Sequence, residues 1–322
     1  MPRFRSLAWI AVLPSMVLAA GLAIAQQGFP SKTIHLISGV SAGSASDTIA
    51  RLLADKLSAS LGQPVIVENR LGAGGLIAAQ YVARSEPDGH TISIYTSAYT
   101  TAPLLTPGLI KPNELIPVAA LAVVPTTLVV QPGKFKSLAD LVAKAKAKPG
   151  GLTATSAGIG SSTHMNLERF CHSAGIKVLH VPFKGAPDAL NEVLGGRADM
   201  YFALTFQVTP FVKQGRLQAL AMGSLKRSAL LPDVPTTVEA GYPDSDYNFW
   251  VGALVAPGTP PEIVKRLHQE FTAAVNAPDI QQQFLKLGAD PLTMTQGEFE
   301  SMIRKEFETN DALIKAADIK AQ

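Results

Sequence analysis

The sequence predicts an α/β protein made of two lobes with a ligand cleft between them. Short β-branched runs alternate with longer helical patterns, the signature of parallel α/β layers. The alternation restarts after Pro132-Gly133, so one series is followed by a second. With 322 residues the chain can bury core for both without cross-links, and its single cysteine, Cys171, has no partner for an internal disulfide.

In chain order, residues 33–38 read as a strand. A helix at 47–61 follows, with Ile49, Leu52, Leu53, Leu57 and Leu61 on one face and Gly62 as its stop. Residues 64–67 form the next strand, 75–84 a helix and 91–95 a third strand, giving a βαβαβ lobe. The second series holds a helix at 138–146, the turn Lys148-Pro149-Gly150-Gly151, a strand at 152–155 and a helix at 163–174. A strand at 177–181, a helix at 187–194 and strands at 199–203 and 217–222 complete it. Beyond Pro257-Gly258-Thr259-Pro260-Pro261 the pattern is helical only, at 263–276 and 296–316, and such tails commonly pack back on the first lobe. The expected lobes are therefore 26–125 with 251–322, and 126–250, the chain crossing near 124–133 and 245–258. At helical spacing from Leu167 and Phe170, Cys171 reads as packing rather than as a nucleophile.

Residues 1–25 read as a secretory signal. Arg3 and Arg5 precede an apolar run over 7–22, and the segment ends Ala23-Ile24-Ala25, a small-x-small cleavage site. A single N-terminal membrane anchor is the alternative, since the run approaches the shortest length that spans a bilayer. The Ala-x-Ala end and Pro14 favour cleavage after Ala25, and hence an exported, soluble mature protein. Removing Arg3 and Arg5 from the 28 basic residues leaves 26 against 25 acidic ones, with no basic block. That balance speaks against nucleic acid as a partner. The six histidines show neither H-E-x-x-H nor Cys/His ligand spacing, so no metal and no cofactor is expected.

Two loops each follow a strand, are rich in Gly, Ser and Thr, and open a helix. They run from Gly39 to Asp47 and from Ser156 to His164. Glycine lets backbone approach a ligand, and the unpaired N–H groups of a helix start favour an anion. One such loop per lobe suits a dicarboxylate. Either loop taken alone could be ordinary capping, by Ser46 or Thr163. Asp47 would repel an anion directly, so its expected role is to order the loop and support the helix start. Ligand contacts are expected from Ser41, Ser46, Ser162, Thr163 and backbone N–H groups.

These loops belong to a longer series of motifs. Asp47 runs into Ala50-Arg51, and Val67-Glu68-Asn69-Arg70 leads to Gly72-Ala73-Gly74-Gly75. Pro87-Asp88-Gly89, His164, His180-Val181-Pro182-Phe183-Lys184-Gly185, Leu230-Leu231-Pro232-Asp233-Val234-Pro235-Thr236, Glu239-Ala240-Gly241 and Ala256-Pro257-Gly258-Thr259-Pro260 continue it. In this order, over essentially the whole mature chain, the sequence resembles the Bug-type periplasmic solute receptors of tripartite tricarboxylate transporters. The resemblance implies a Venus-flytrap fold of the type II-like periplasmic binding protein class, without catalysis. It further implies a small carboxylate ligand held by the two loops, and the large and small membrane subunits of such a transporter as partners of a monomer. The site expected from loops and resemblance together comprises Val40, Ser41, Ser46, Asp47, Ser97, Ser161, Ser162, Thr163, His164, Phe183, Ala203 and Phe206. Where the family often has Pro-Phe before the first loop, this chain has Gly39-Val40, which opens space above the ligand. The usual second loop glycine is Ser44, and an acidic residue common after the Asp-x-x-Phe strand is Ala203, which disfavours amino-acid ligands. Phe183, Tyr99 and Phe206 offer aromatic faces, Phe206 equally as core. An aromatic dicarboxylate such as a phthalate isomer is the expected ligand, with citrate-like or aliphatic diacids as the runner-up.

The rival reading is a secreted serine hydrolase. Gly39-Val40-Ser41-Ala42-Gly43 spells G-x-S-x-G between a strand and a helix, as a nucleophile elbow does. An oxyanion loop would need earlier strands that the short mature segment before Gly39 does not supply, and neither His180 nor His268 is singled out as base by spacing. A phosphate loop fails for want of Lys-Ser/Thr after the glycines, and Gly72 to Gly75 reads as a turn into a helix.

Overall fold

A strand covered by helices on both faces is apolar at nearly every position. In β1 (Ile34–Ser38) the residues Ile34, Leu36 and Ile37 are all buried. The structure, a computed structural model, describes residues 28–183 and 185–320. The expected signal segment and its cleavage site lie outside the described residues, as does Lys184. β1 pairs in parallel with β2 (Val65–Asn69) and with β3 (Thr91–Thr96). The crossovers are α1 (Ala45–Leu61), which ends at left-handed Gly62, and α2 (Leu76–Ala83). A 3-10 turn at Ser97–Thr100 leads to the single turn α3 (Ala102–Leu105) and on to β4 (Ile116–Val124).

Pro125 separates β4 from β5 (Thr126–Val130), where the second sheet begins. It continues through α4 (Leu138–Ala147), β6 (Thr153–Ser156), α5 (Ser162–Ala174), β7 (Leu179–Pro182) and α6 (Ala186–Leu194). Then come β8 (Met200–Leu204), α7 (Thr205–Lys213) and β9 (Gln218–Met222). The strand order is β7-β6-β8-β5-β9. The chain returns to the first sheet in β10 (Phe249–Val255), followed by α8 (Pro261–Val275), α9 (Pro278–Lys286), the short β11 (Asp290–Pro291) and α10 (Gln296–Ala316). That sheet is six-stranded, in the order β11-β4-β10-β3-β1-β2.

The two-lobe α/β class expected from the sequence is therefore what the chain adopts, with three differences of detail. The segments read as crossings contain strands: β5 and β10 enter their sheets antiparallel to their neighbours. An antiparallel strand needs no crossover helix to announce it. The βαβαβ reading of the first lobe likewise missed β4. The tail holds α9 between the two expected helices, with Ile280 and Phe284 buried, and the two residues of β11. Among the described residues no helix is long and apolar enough to cross a membrane.

Each sheet has an apolar cluster on either face. Leu36, Ile92 and Val251 lie on one side of the first sheet, while Ile37, Tyr95 and Trp250 lie on the other. In the second sheet β8 alternates, Met200 and Phe202 in one cluster and Tyr201 and Ala203 in the other. Cys171 is buried in the second lobe, which pushes its thiol far up and keeps it from acting as a nucleophile.

α10 brings one acid into the core. Glu306 accepts from Trp250 Nε1 at 2.8 Å and from Thr100 Oγ1 at 3.3 Å, and burial pushes its carboxyl from the ordinary 4.5 up to about 7. An acid whose pKa is raised on folding contributes stability that is complete below 4.5 and lost as pH rises through about 7. Chemical denaturation across this window should therefore show wild-type stability falling relative to Glu306→Gln as pH rises. A constant difference between the two would contradict the burial of an ionisable group there.

Candidate functional site: a cleft between glycine-rich loops

The first wall of the cleft is the loop between β1 and α1. Its cap is Ser44, whose Oγ accepts from Asp47 N at 3.4 Å; Ser46, proposed as cap from the sequence, already stands in the first turn. Asp47 is almost fully buried and accepts from Gly43 N at 2.8 Å, Arg51 Nε at 3.0 Å, Arg51 Nη2 at 3.1 Å and Asn69 Nδ2 at 2.7 Å. Asn69 Nδ2 also donates to the Val40 carbonyl at 2.9 Å. Burial alone would raise the Asp47 pKa, but the bonds from Arg51, Asn69 and Gly43 outweigh it and hold the carboxyl below its ordinary value. Asp47 thus ties the loop to α1 and β2 and keeps its charge turned into the protein.

The second wall is the loop between β6 and α5. Its cap is Ser161, whose Oγ accepts from His164 N at 3.3 Å, and not Thr163. Thr163 is buried and turns back to the loop, its Oγ1 accepting from Ala157 N at 2.9 Å. In both helices the cap satisfies the third N–H of the first turn. The N–H groups of Ala45 and Ser46, and of Ser162 and Thr163, have no acceptor within their helices.

Between the walls lies a cavity of about 490 Å³, lined by both loops. Gly39, Val40, Ser161 and Ser162 face it, with Thr96, Ala98, Ala102 and Leu105 from the first lobe. The lobes touch at its edge, where Thr101 Oγ1 donates to the Gly160 carbonyl at 3.0 Å. No charged side chain lines the cavity among the described residues. An anion inside would be held by backbone N–H groups, hydroxyls and the positive end of α5.

Of the residues expected at the site, Val40, Ser161 and Ser162 line this cavity. Ser41 is exposed on the loop, while Ser46, Asp47 and Thr163 are packed behind the walls. Ser97 is fully buried in the 3-10 turn. His164 faces away from the cavity: Gly160 N donates to its Nδ1 at 3.1 Å, and its ring stacks on His180 with centroids 3.9 Å apart. Both histidines line a second hollow of about 620 Å³ between α5 and the end of α10. Phe183 packs against the second lobe's core, and its carbonyl lies close to Gly158. Ala203 is fully buried in that core and does not line the cavity. Phe206 packs against the first lobe's core, with Gly288 close by, and acts as an interlobe contact.

Two lining groups went unread in the sequence. Gly72 to Gly75 forms part of the wall and is not merely a turn. Gly75 has φ +93, a Cβ there would come within 2.8 Å of the Tyr95 hydroxyl, and one on Gly39 would come within 2.6 Å of Gly75 Cα. Glycine at both positions lets the two loops touch, and Tyr95 Oη fastens the second by donating to the Gly74 carbonyl at 2.8 Å. Phe249, at the start of β10, supplies the aromatic face of the cavity.

Ser41 has no histidine bonded to it among the described residues. His268 Nδ1 pairs with the Val118 carbonyl at 2.9 Å, and His180 Nε2 pairs with Ser156 Oγ at 2.7 Å. The elbow motif therefore lacks its base. Among the described residues no group of His, Cys, Asp and Glu is arranged to hold a metal ion.

The sequence profile of the tripartite tricarboxylate transporter family receptor matches residues 49–319 of this chain. Protein BugT of Bordetella pertussis is 32% identical over 309 residues, which cover 93% of this chain and 94% of that protein. A Rhodopseudomonas palustris protein solved with adipate has a TM-score of 0.77 at 29% identity, over 91% of this chain and 99% of the other. MatC from Rhodopseudomonas palustris, with bound malate, has a TM-score of 0.74 at 28% identity, over 89% and 100%.

Proposed function

This chain belongs to the receptor family of tripartite tricarboxylate transporters, and from that membership we propose that it is the periplasmic receptor for a small dicarboxylate. The observation that carries the reading is one cavity between the glycine-rich backbone of the first lobe, at Gly39, Val40 and Gly72 to Gly75, and the capped start of α5 in the second, with no charged side chain in its lining among the described residues. One carboxylate meets the start of α5 and the other the glycine-rich backbone of the first lobe. Solved relatives with adipate and malate support a diacid of modest length, and about 490 Å³ lies within the range of small-ligand pockets.

The preferred ligand in this reading is aromatic, of the phthalate kind, with aliphatic or citrate-like diacids second. Val40 in place of a larger side chain leaves room for a ring, and Phe249 and Leu105 offer it apolar contact. The signal is removed after Ala25, and the mature monomer has lobes of 26–125 with 251–322 and of 126–250. Ligand stabilises the closed form because only there do both walls reach it. The closed receptor then docks on the large and small membrane subunits, and no chemistry is done on the ligand.

Calorimetry on Val40→Phe tests the ligand class. Terephthalate should bind about tenfold more weakly, the cost of about 1.4 kcal/mol of overpacking, while adipate changes much less. Equal losses for both ligands would count against the open space at Val40.

A further inference from the structure

One wall of the cavity is the first turn of α5, and about two turns further along the same helix is tied across to the other lobe. Arg169 Nη2 donates to Asn310 Oδ1 on α10 at 3.1 Å, and Nη1 donates to the Asp246 carbonyl at 3.1 Å, just ahead of β10. The guanidinium lies over the Tyr247 ring, 5.0 Å from its centroid. Asn310 is fully buried and extends the connection, its Nδ2 donating to Thr100 Oγ1 at 2.8 Å. The next residue, Thr101, donates to the Gly160 carbonyl at 3.0 Å, immediately before α5. The connection closes into a ring running from α5 to α10, to the 3-10 turn, to Gly160 and back to α5. Two of its links join the lobes: Arg169 to Asn310, and Thr101 to Gly160.

We propose that Arg169 is a positioning residue for ligand capture, the pin that holds α5 against α10 so that the Ser162 and Thr163 N–H groups face the loop from Gly39 to Asp47. The inference rests on the reading of the cavity as the ligand site. Arginine suits the task because its planar fork serves two acceptors on different elements at once, and a lysine ammonium lacks that fork. Both acceptors are uncharged oxygens, so the tie has the strength of a charge-assisted bond, and the titrating Glu306 reaches it through the shared Thr100 hydroxyl and its charge interaction with Arg169. A tie that holds the closed arrangement acts on release of the ligand more than on its arrival.

Arg169→Met keeps the packing of the stem and removes both bonds. With adipate as the probe, stopped-flow dissociation should speed up about tenfold while association stays within about twofold, and Arg169→Lys should fall between. Small-angle scattering of the ligand-free variant should give a larger radius of gyration than wild type, at a nearly unchanged unfolding midpoint. The scattering measurement needs no ligand. If wild type bound neither adipate nor terephthalate, the ligand reading would fail while the pin would still be decided by the scattering. Scattering and release both equal to wild type would overturn the proposal. So would a joint fall in association rate and unfolding midpoint, which marks a merely structural arginine.

Discussion

Asp47→Ala is expected to abolish carboxylate binding, lowering affinity at least about 100-fold, and to remove about 3 kcal/mol of stability. The carboxylate accepts four hydrogen bonds, from Gly43 N, two nitrogens of Arg51 and Asn69 Nδ2. Its removal leaves a guanidinium, an amide and a backbone N–H without their acceptor, and frees the loop that carries Val40. The bond of Asn69 to the Val40 carbonyl is then oriented only by Arg51 Nη2, which donates to Asn69 Oδ1 at 3.0 Å. Asp47→Asn should lie between wild type and Asp47→Ala, because the amide keeps one acceptor oxygen. The pH dependence follows from the lowered pKa: the stabilisation is complete above the ordinary value of 3.8 and is lost as pH falls through the lowered one. Calorimetric titration with adipate, together with chemical denaturation, checks both parts. Full affinity in Asp47→Ala would show that the loop holds its shape without the carboxylate.

The second large effect is expected at the closing edge of the cleft. Gly160 has φ +73, and a Cβ there would come within 2.5 Å of Leu105 Cδ1 from the opposite lobe. In Gly160→Val the branched side chain meets a left-handed backbone and a facing leucine together. Closure is blocked, and dicarboxylate affinity should fall about 100-fold, equivalent to about 2.7 kcal/mol. The double variant Gly160→Val with Leu105→Ala separates the two causes. Recovery of much of the affinity assigns the loss to the clash between lobes, and no recovery assigns it to strain within the loop.

These positions also show what could be read from the sequence. Both glycine-rich loops were visible because each is a local pattern, a strand end followed by small residues and a helix. Their caps were misplaced by two residues, since serines or threonines crowd both loops and only geometry selects Ser44 and Ser161. Ala203 lies away from the cavity for a different reason, while Phe206 takes the core alternative the sequence left open. Alternation along β8 shows that Phe202 and Ala203 face opposite ways, but it does not say which cluster lies on which side. β4, β5 and β10 pair with partners distant in sequence and antiparallel, so no neighbouring helix marks them. The tie between Arg169 and Asn310 spans 141 positions and leaves no local trace at all. Local chemistry was thus legible, while the meeting of distant segments was not.

One cavity between the glycine-rich loops of the first lobe and the start of α5 is proposed to bind a dicarboxylate. Thermal unfolding of a chain of residues 26–322 against aromatic and aliphatic mono-, di- and tricarboxylates, amino acids and sugars tests it most directly. A ligand at about 100 times its dissociation constant adds about 2.7 kcal/mol, enough to raise the midpoint by several degrees in a chain of this size. The predicted result is a rise confined to dicarboxylates and largest for the aromatic ones. A midpoint unmoved by every carboxylate, with hydrolysis of an activated ester in the same sample, would contradict it and return Ser41 to consideration as a nucleophile.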